Sequence, residues 1–160
     1  MQRIRIIAVG KLKEAWMRAG CAEYEKRIAA FARLDITELP EERLPESPND
    51  AQIAAALSAE GAKMLRLIPP NAFTAALCIE GGTLPSEALA DRLAKESLSG
   101  RSEAVFLIGS SHGLSDEVKR AANCRLSMSP MTFPHQLARL MLLEQLYRAC
   151  QITAGGKYHK

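Results

Sequence analysis

The residues that could do chemistry lie in three short stretches of this 160-residue chain. Residues 109–113 read "GSSHG", residues 129–135 read "SPMTFPH", and the chain ends in "YHK". The first stretch follows an apolar run and precedes a polar one. This pattern is typical of a loop that connects the end of a strand to the start of a helix, which is a common place to bind a nucleotide. Its glycines fit neither the Gly-x-Gly-x-x-Gly pattern nor a phosphate loop with its Lys-Ser or Lys-Thr pair. The stretch therefore indicates a binding loop whose ligand is not held by its phosphates.

Three histidines and one arginine are candidates for proton transfer or charge stabilisation. A histidine has an ordinary pKa near neutrality and so suits proton transfer. His159 lies in the terminal tail, and His112 lies in the glycine loop, where it faces either solvent or substrate. His135 follows a proline at a helix start and is expected to be structural. Arg139 is either a catalytic group or the buried partner of an acid.

Composition limits the class of protein. A chain with 48% hydrophobic and 24% charged residues is expected to fold, and 160 residues correspond to a single domain, 1–160. The formal charge of +3 permits an RNA partner without predicting one. No stretch approaches about 20 apolar residues, and the start "MQRIRIIAVGKLKE" has too short an apolar run for a signal peptide. We therefore expect a cytoplasmic protein with no membrane partner.

The four cysteines argue against a metal centre. Cys21, Cys78, Cys124 and Cys150 lie far apart, and none forms a Cys-x-x-Cys pair. Zinc clusters need closely spaced ligand pairs. Buried or idle thiols and no metal are the expectation.

Apolar and polar segments alternate as strand and helix almost throughout. The expected strands are "RIRIIAVG", "RLDITELP", "FTAALCIEGG", "EAVFLIG" and "CRLSMS". Such alternation predicts an α/β fold with a parallel-rich sheet and helices on both faces. Ligands of such sheets bind beyond the carboxyl ends of the strands. The loops "EGG", "GSSHG" and "SPMTFPH" follow the last three strands and are predicted to share one pocket.

Two helices carry distinctive patterns. The first is expected to bury a stripe formed by Trp16, Gly20, Tyr24, Ile28 and Phe31. The last, residues 134 to about 153, is apolar on nearly all sides through its middle, and Arg139 and Glu144 lie about 140° apart around it. It is either a central core helix with satisfied polar groups or a helix that packs the sheet on one side and a second subunit on another. The second interpretation predicts a homodimer.

Several motifs together resemble a known family. "IGSSHGL", "LSMSPMTFPHQLARLMLLEQLYRA" and the terminal "YHK", with "IIAVGKLKE" near the start, resemble the RlmH family of SPOUT methyltransferases over the whole chain. One departure is that the family usually has two adjacent glycines where this chain has Gly109-Ser110. The resemblance implies a homodimer with cofactor sites near the subunit interface. It also implies a C-terminal trefoil knot, in which the chain threads a loop near residues 104–134.

The resemblance further implies an activity and its residues. The family uses S-adenosylmethionine to methylate N3 of a pseudouridine in the helix 69 hairpin of large-subunit ribosomal RNA, which makes rRNA in the ribosome the expected partner. The implied catalytic residues are His159 and Tyr158, with Lys160 beside them, and Arg139. The residues implied to line the cofactor pocket are Leu77, Gly109, Met128, Ser129, Pro130, Met131, Thr132 and Phe133. Because S-adenosylmethionine has no phosphate, a loop of small residues without lysine would suit it.

Alternatives remain for both the function and the pocket. The "GSSHG" loop alone allows an α/β nucleotide-binding enzyme of other chemistry, and the modest positive charge allows a non-catalytic RNA-binding protein. Without the resemblance, Met128, Met131 and Phe133 would be expected to be core residues without a ligand.

Overall fold

The computed structural model describes residues 2–159, in which five strands and five helices alternate. The strands are β1 (Gln2–Val9), β2 (Ala32–Leu39), β3 (Phe73–Thr83), β4 (Ala104–Ile108) and β5 (Cys124–Ser127). The helices are α1 (Ala15–Ile28), α2 (Asp50–Arg66), α3 (Ser86–Leu98), α4 (Asp116–Ala121) and α5 (His135–Thr153). The alternation predicted from the sequence is confirmed.

All strands belong to one parallel sheet with the order β2-β1-β4-β3-β5. Every residue of the short strand β4 is buried. That burial follows from its place between two neighbours in a sheet covered on both faces, and it explains the unbroken apolar run in its sequence. Because the strands are parallel, all five carboxyl ends lie along one edge of the sheet.

Helices cover both faces, and alternate strand residues divide between two apolar cores. Ile4 and Ile6 of β1 point into the core under α1, α3 and α5, while Ile7 and Val9 point into the core on the side of α2 and α4. Helix α5 lies between α1 and α3 and contacts both. Gly20 of α1 faces Leu140 of α5, and an added Cβ there would lie 3.2 Å from the Leu140 methyl groups.

The stripe expected on α1 is partly wrong. Met17, Cys21 and Ile28 are the buried residues of this helix, whereas the Trp16 side chain is 60% exposed. Ile28 belongs to the expected stripe and is buried, and Gly20, Tyr24 and Phe31 are half-buried. Trp16 alone is misplaced, because it lies about 100° around the helix from the buried Met17 that follows it. Large apolar side chains alone did not determine which face packs on the sheet.

Local signals at the helix ends act as the sequence indicates. The Asn49 side chain accepts a hydrogen bond from the Gln52 amide at 2.8 Å, and the Gln52 side chain accepts one from the Asn49 amide at 2.9 Å. This reciprocal pair is a capping box, and it fixes the start of α2. Within the described residues, none of the helices is long and apolar enough to cross a membrane.

Candidate functional site

A cavity of about 810 Å³ opens at the carboxyl edge of the sheet. The loops after β4 and β5 contribute to its walls, as the sequence predicts. The third contribution comes from residues 77–80 within β3, so that of the predicted "EGG" loop only Glu80 lines the cavity. Seven of the eight residues implied for the cofactor pocket line it, and Pro130 does not: the seven are Leu77, Gly109, Met128, Ser129, Met131, Thr132 and Phe133. The cavity also takes in His112 and His135, which belong to two of the loops predicted to meet there, and Lys119, which the sequence analysis did not assign to it.

The loop after β4 folds tightly back on itself. The Gly113 amide donates to the Ser110 carbonyl at 2.9 Å, and Gly113 has φ +86°, a conformation that favours glycine. A Cβ on Gly109 would overlap the backbone carbonyl of Gly113 and lie 2.9 Å from the Leu114 nitrogen. Glycine at 109 is therefore required by the turn itself, before any ligand is considered.

Ser110, the departure from the resembled family, is buried and makes a specific bond. Its hydroxyl donates to Oε1 of Glu60 at 3.1 Å, and Oε2 of Glu60 accepts the Glu42 amide at 2.9 Å. Glu60 is only 4% exposed. The carboxylate thus ties the cavity loop to α2 and to the segment after β2. Sequence reasoning missed Glu60, although its place between Leu57 and Met64 on the apolar side of α2 was an available signal.

A bulge in β3 forms the opposite wall of the cavity. Leu126 of β5 is in register with Leu77 and again with Gly82, so residues 78–81 leave the ladder. A Cβ on Gly81 would lie 2.7 Å from the backbone of Arg125, which makes glycine necessary at this close approach. The bulge presents residues 78–80 to the cavity.

An ion pair lies at this wall of the cavity. Nζ of Lys119 lies 2.5 Å from Oε1 of Glu80. Its hydrogen bond holds the pKa of the Glu80 carboxyl below its usual range. The cavity is thus lined by both a cation and an anion beside its apolar residues.

His135 begins α5 and borders the cavity. Burial lowers the pKa of its imidazole below the usual value, although Glu41, 3.8 Å from Nε2, opposes the shift. The ring is therefore neutral at neutral pH. His135 ends the "SPMTFPH" loop, which the sequence predicts to line the pocket, and its structural role stays a prediction.

Arg139 is held by other groups. Its side chain is 4% exposed, Nη1 bonds Oε2 of Glu38 at 2.6 Å, and Nη2 donates to the Gly10 carbonyl at 3.0 Å. Its Nε has no hydrogen-bond partner within residues 2–159. Arg139 does not line the cavity. This geometry matches the alternative in which Arg139 is the buried partner of an acid.

The terminal tail folds back onto α5. The Tyr158 hydroxyl donates to Glu144 at 3.2 Å, and its ring packs edge-on against Tyr147 with centroids 4.8 Å apart. The Tyr24 hydroxyl beside it, burial and the Glu144 carboxylate raise the pKa of Tyr158 to about 12.

His159 continues this contact toward α3. Its Nε2 lies 2.6 Å from Glu87, and its Nδ1 lies 3.3 Å from Arg148. Neither Tyr158 nor His159 lines the cavity, and Lys160 lies outside the described residues. Within one chain, the three proposed catalytic side chains and the cavity are therefore not brought together.

A parallel α/β sheet with a partly apolar cavity at its carboxyl edge defines a ligand-binding α/β protein, and comparison with known proteins makes the class specific. A family model described as "Predicted SPOUT methyltransferase" matches residues 2–159. The chain belongs to the SPOUT methyltransferase family. In residues 2–159, no group of three or more His, Cys, Asp or Glu side chains is arranged to hold a metal ion.

Two individual relatives are similar to this chain over nearly its whole length. The chain is 48% identical over 160 residues, all of both chains, to "Ribosomal RNA large subunit methyltransferase H" of Moorella thermoacetica. It is 49% identical over 157 residues to the protein of the same name from Bacillus pumilus, covering 98% of this chain and 99% of that one.

Solved structures agree on the fold. A probable methyltransferase from Bordetella pertussis Tohama I superposes with a TM-score of 0.58 at 14% identity, over 93% of this chain and 96% of that one. A probable methylase family protein from Haemophilus influenzae Rd KW20 gives a TM-score of 0.50 at 11% identity, over 99% of this chain and 70% of that one. At such identities the likeness concerns the fold alone.

Proposed function

We propose that this protein methylates large-subunit ribosomal RNA with S-adenosylmethionine, at N3 of a pseudouridine in the helix 69 hairpin. The observation that carries the proposal is identity of nearly one half, over the whole chain, to two proteins named large-subunit rRNA methyltransferase H. The SPOUT family match over residues 2–159 agrees with it. The protein would act in the cytoplasm, where ribosomes are found.

The cavity fits S-adenosylmethionine. Its volume of about 810 Å³ lies within the range usual for cofactor sites. Met128, Met131 and Phe133 can enclose an adenine, while Thr132 and backbone groups supply orienting hydrogen bonds. Gly109 and Gly113 line the cavity and present main chain to it without a side chain. The amino-acid end of the cofactor carries both charges, and the cavity wall has the Lys119–Glu80 pair.

The protein's own task is to hold the base and remove the N3 proton, because the cofactor supplies a methyl group on a sulfonium that already carries the difficult chemistry. His159 is preferred to Arg139 for accepting the proton, because an arginine stays protonated in proteins and cannot act as a base. In its own chain His159 is held by Glu87 and Arg148, and Arg139 by Glu38 and Gly10. Tyr158, with its raised pKa, stays protonated at neutral pH and suits stacking or hydrogen-bond donation.

The proposed catalytic role of the tail involves a homodimer. Tyr158 and His159 do not line the cavity of their own chain, so we propose that they complete the cavity of a neighbouring subunit. Four large apolar side chains, between 46% and 72% exposed, support a contact between copies: Trp16, Ile79, Leu84 and Met131. Helix α5 is weaker support, because α1, α3 and the tail leave every residue from 135 to 152 buried or half-buried.

Methyl transfer to ribosomal particles tests the proposed function. Purified protein, labelled S-adenosylmethionine and either 70S ribosomes, large subunits or free rRNA should give label at one pseudouridine, located by nuclease digestion and mass spectrometry. Calorimetry with S-adenosylmethionine, NAD and ATP separates the nucleotide-enzyme alternative. Binding to NAD or ATP alone, or rRNA binding without transfer to any particle, would overturn the proposal.

A further inference from the structure

The connection between β1 and α1 leaves the sheet beside the cavity loop. β1 pairs with β4 in register, Ala8 opposite Ile108, so the segment after Val9 emerges next to the turn that begins at Gly109. Two hydrogen bonds pin this connection to α5. Gln136 accepts the Lys13 amide at 2.9 Å, and the Gly10 carbonyl accepts Nη2 of Arg139 at 3.0 Å. The segment therefore has a fixed place at the rim of the site, near the cavity residue His135.

This rim carries cations without carboxylate partners. We call Lys11, Lys13 and Arg18 the basic rim. All three are exposed, and none forms a salt bridge within residues 2–159. Nη1 of Arg18 donates to the carbonyls of Leu12 and Lys13, at 3.1 and 2.8 Å, which holds the loop and keeps the guanidinium over it. Glu14 is the one acidic residue between positions 10 and 18, so the segment keeps a net charge of +2 from three cations and one anion.

We infer that the basic rim binds the sugar-phosphate backbone of the RNA whose base enters the cavity. This inference rests on the proposed function. Phosphate contacts fix the position and orientation of a nucleic acid on a protein without reading its sequence. When lysines neutralise phosphates, the counterions condensed on the RNA are released, and this supplies affinity that falls as the salt concentration rises. Cations fixed at the cavity edge would hold an RNA hairpin so that one base lies over the cofactor.

The test replaces the two lysines and leaves Arg18, which holds the loop. Lys11→Gln with Lys13→Gln should raise KM for ribosomes at least about fivefold and leave kcat within about twofold. The dependence of log KM on log salt should become shallower by about 1.4, which is about 0.7 for each lost single-strand contact. Calorimetry should give wild-type S-adenosylmethionine affinity, because neither lysine lines the cavity.

A matched control removes two equally exposed lysines from the opposite edge of the sheet. Lys26 and Lys95 lie in the last turns of α1 and α3, which join parallel strands and so end at the amino edge. The Lys26→Gln, Lys95→Gln variant should keep the wild-type KM and salt slope. Equal effects of the two double variants, or no effect of the rim variant, would overturn the assignment.

Co-sedimentation with ribosomes separates this inference from the proposed function. Wild-type protein that pellets with ribosomes but transfers no methyl group contradicts the proposed chemistry. The inference is then tested by pelleting alone: it stands if the rim variant pellets less than the wild type, and it fails if both pellet equally. Wild-type protein that neither pellets nor transfers overturns both.

Discussion

At the scale of single residues, a hydrogen bond between Ser110 and Glu60 holds the cavity loop. A glycine at position 110, as the resembled family usually has, would have no hydroxyl to make this bond. The Ser110 hydroxyl donates to Glu60, and Glu60 also accepts the Glu42 amide, so one buried carboxylate joins three segments. A buried carboxylate with both oxygens engaged is costly to disturb, because removing a partner leaves a polar group unsatisfied. We therefore expect the loop, and the cofactor it would hold, to depend on this pair.

Paired substitutions measure that dependence. Glu60→Ala and Ser110→Ala should each weaken S-adenosylmethionine binding about tenfold, or roughly 1.4 kcal/mol, the usual scale for a buried charged hydrogen bond. The double variant should be no weaker than the worse single variant, since both remove the same bond. Calorimetry measures all three. Ser111→Ala, at the exposed neighbouring serine, is the control and should bind as wild type does. Additive losses would show that the two residues act separately.

Gly109 gives a second residue-scale prediction. In Gly109→Val, the new side chain would overlap the Gly113 carbonyl, so the turn must open and cofactor affinity should fall at least about a hundredfold, or 2.7 kcal/mol. Gly82→Ala is the matched control, because its Cβ would come no closer than 4.0 Å to the Arg125 carbonyl. Calorimetry on both variants, with circular dichroism to verify folding, checks the assignment. A folded Gly109→Val protein with wild-type affinity would remove this loop from the cofactor site.

At the scale of elements, features set by neighbouring residues could be predicted from the sequence, whereas contacts between distant elements could not. The alternation of strand and helix, the Asn49 cap and the buried run of β4 could all be read from neighbouring residues. The strand order could not, because nothing in the local sequence of β5 indicates that it pairs with β3 rather than with β4.

The site residues also divide into those that neighbouring residues could indicate and those that depend on a distant partner. The apolar and small residues of the cavity were implied by contiguous motifs. Glu60 was missed because its partner Ser110 lies 50 positions away, and Arg139 stayed ambiguous because Glu38 lies 101 positions away. The trefoil knot stays a prediction.

The start of α5 gives the element-scale prediction. Burial lowers the pKa of His135 in the folded chain below the ordinary histidine value of 6.5. As the pH falls through about 6.5, the unfolded chain therefore takes up a proton that the folded chain resists, and the free energy of unfolding decreases. His135→Gln should lose less stability than wild type between pH 7 and about pH 5.5 in urea titrations. His112→Gln, which removes an exposed imidazole, is the control for the loss of one ring. Parallel pH profiles of wild type and His135→Gln would contradict the assigned burial effect.

At the scale of the whole molecule, the candidate catalytic side chains and the cavity belong to different surfaces. Tyr158 and His159 rest against α5 and α3, held by Glu144 and Glu87, while the cavity opens at the carboxyl edge of the sheet. Gly155, with φ +69°, and Gly156 precede them and let the chain turn back after α5. A symmetric pairing of two chains can bring the tail of one to the cavity of the other. Such an arrangement would explain a functional tail that does not reach the cavity of its own chain.

Mixing two inactive variants tests that arrangement. Deletion of residues 158–160 should leave S-adenosylmethionine affinity within about threefold, or roughly 0.65 kcal/mol. The same deletion should lower single-turnover methyl transfer at least about a hundredfold, the low end for losing a proton-transfer group. Gly109→Val keeps its tail and lacks a working cavity. When equal amounts are unfolded and refolded together, about half of the dimers contain one chain of each kind, and each has one intact cavity facing one intact tail.

The mixture should therefore recover about a quarter of the wild-type rate, since half of the dimers carry one of two sites. Each variant refolded alone is the control and should stay inactive. If the tail serves the cavity of its own chain, no mixed dimer contains a complete site and the mixture stays as inactive as its components. A truncated protein that keeps the full rate alone would remove the tail from the mechanism and direct attention to Arg139 and His135.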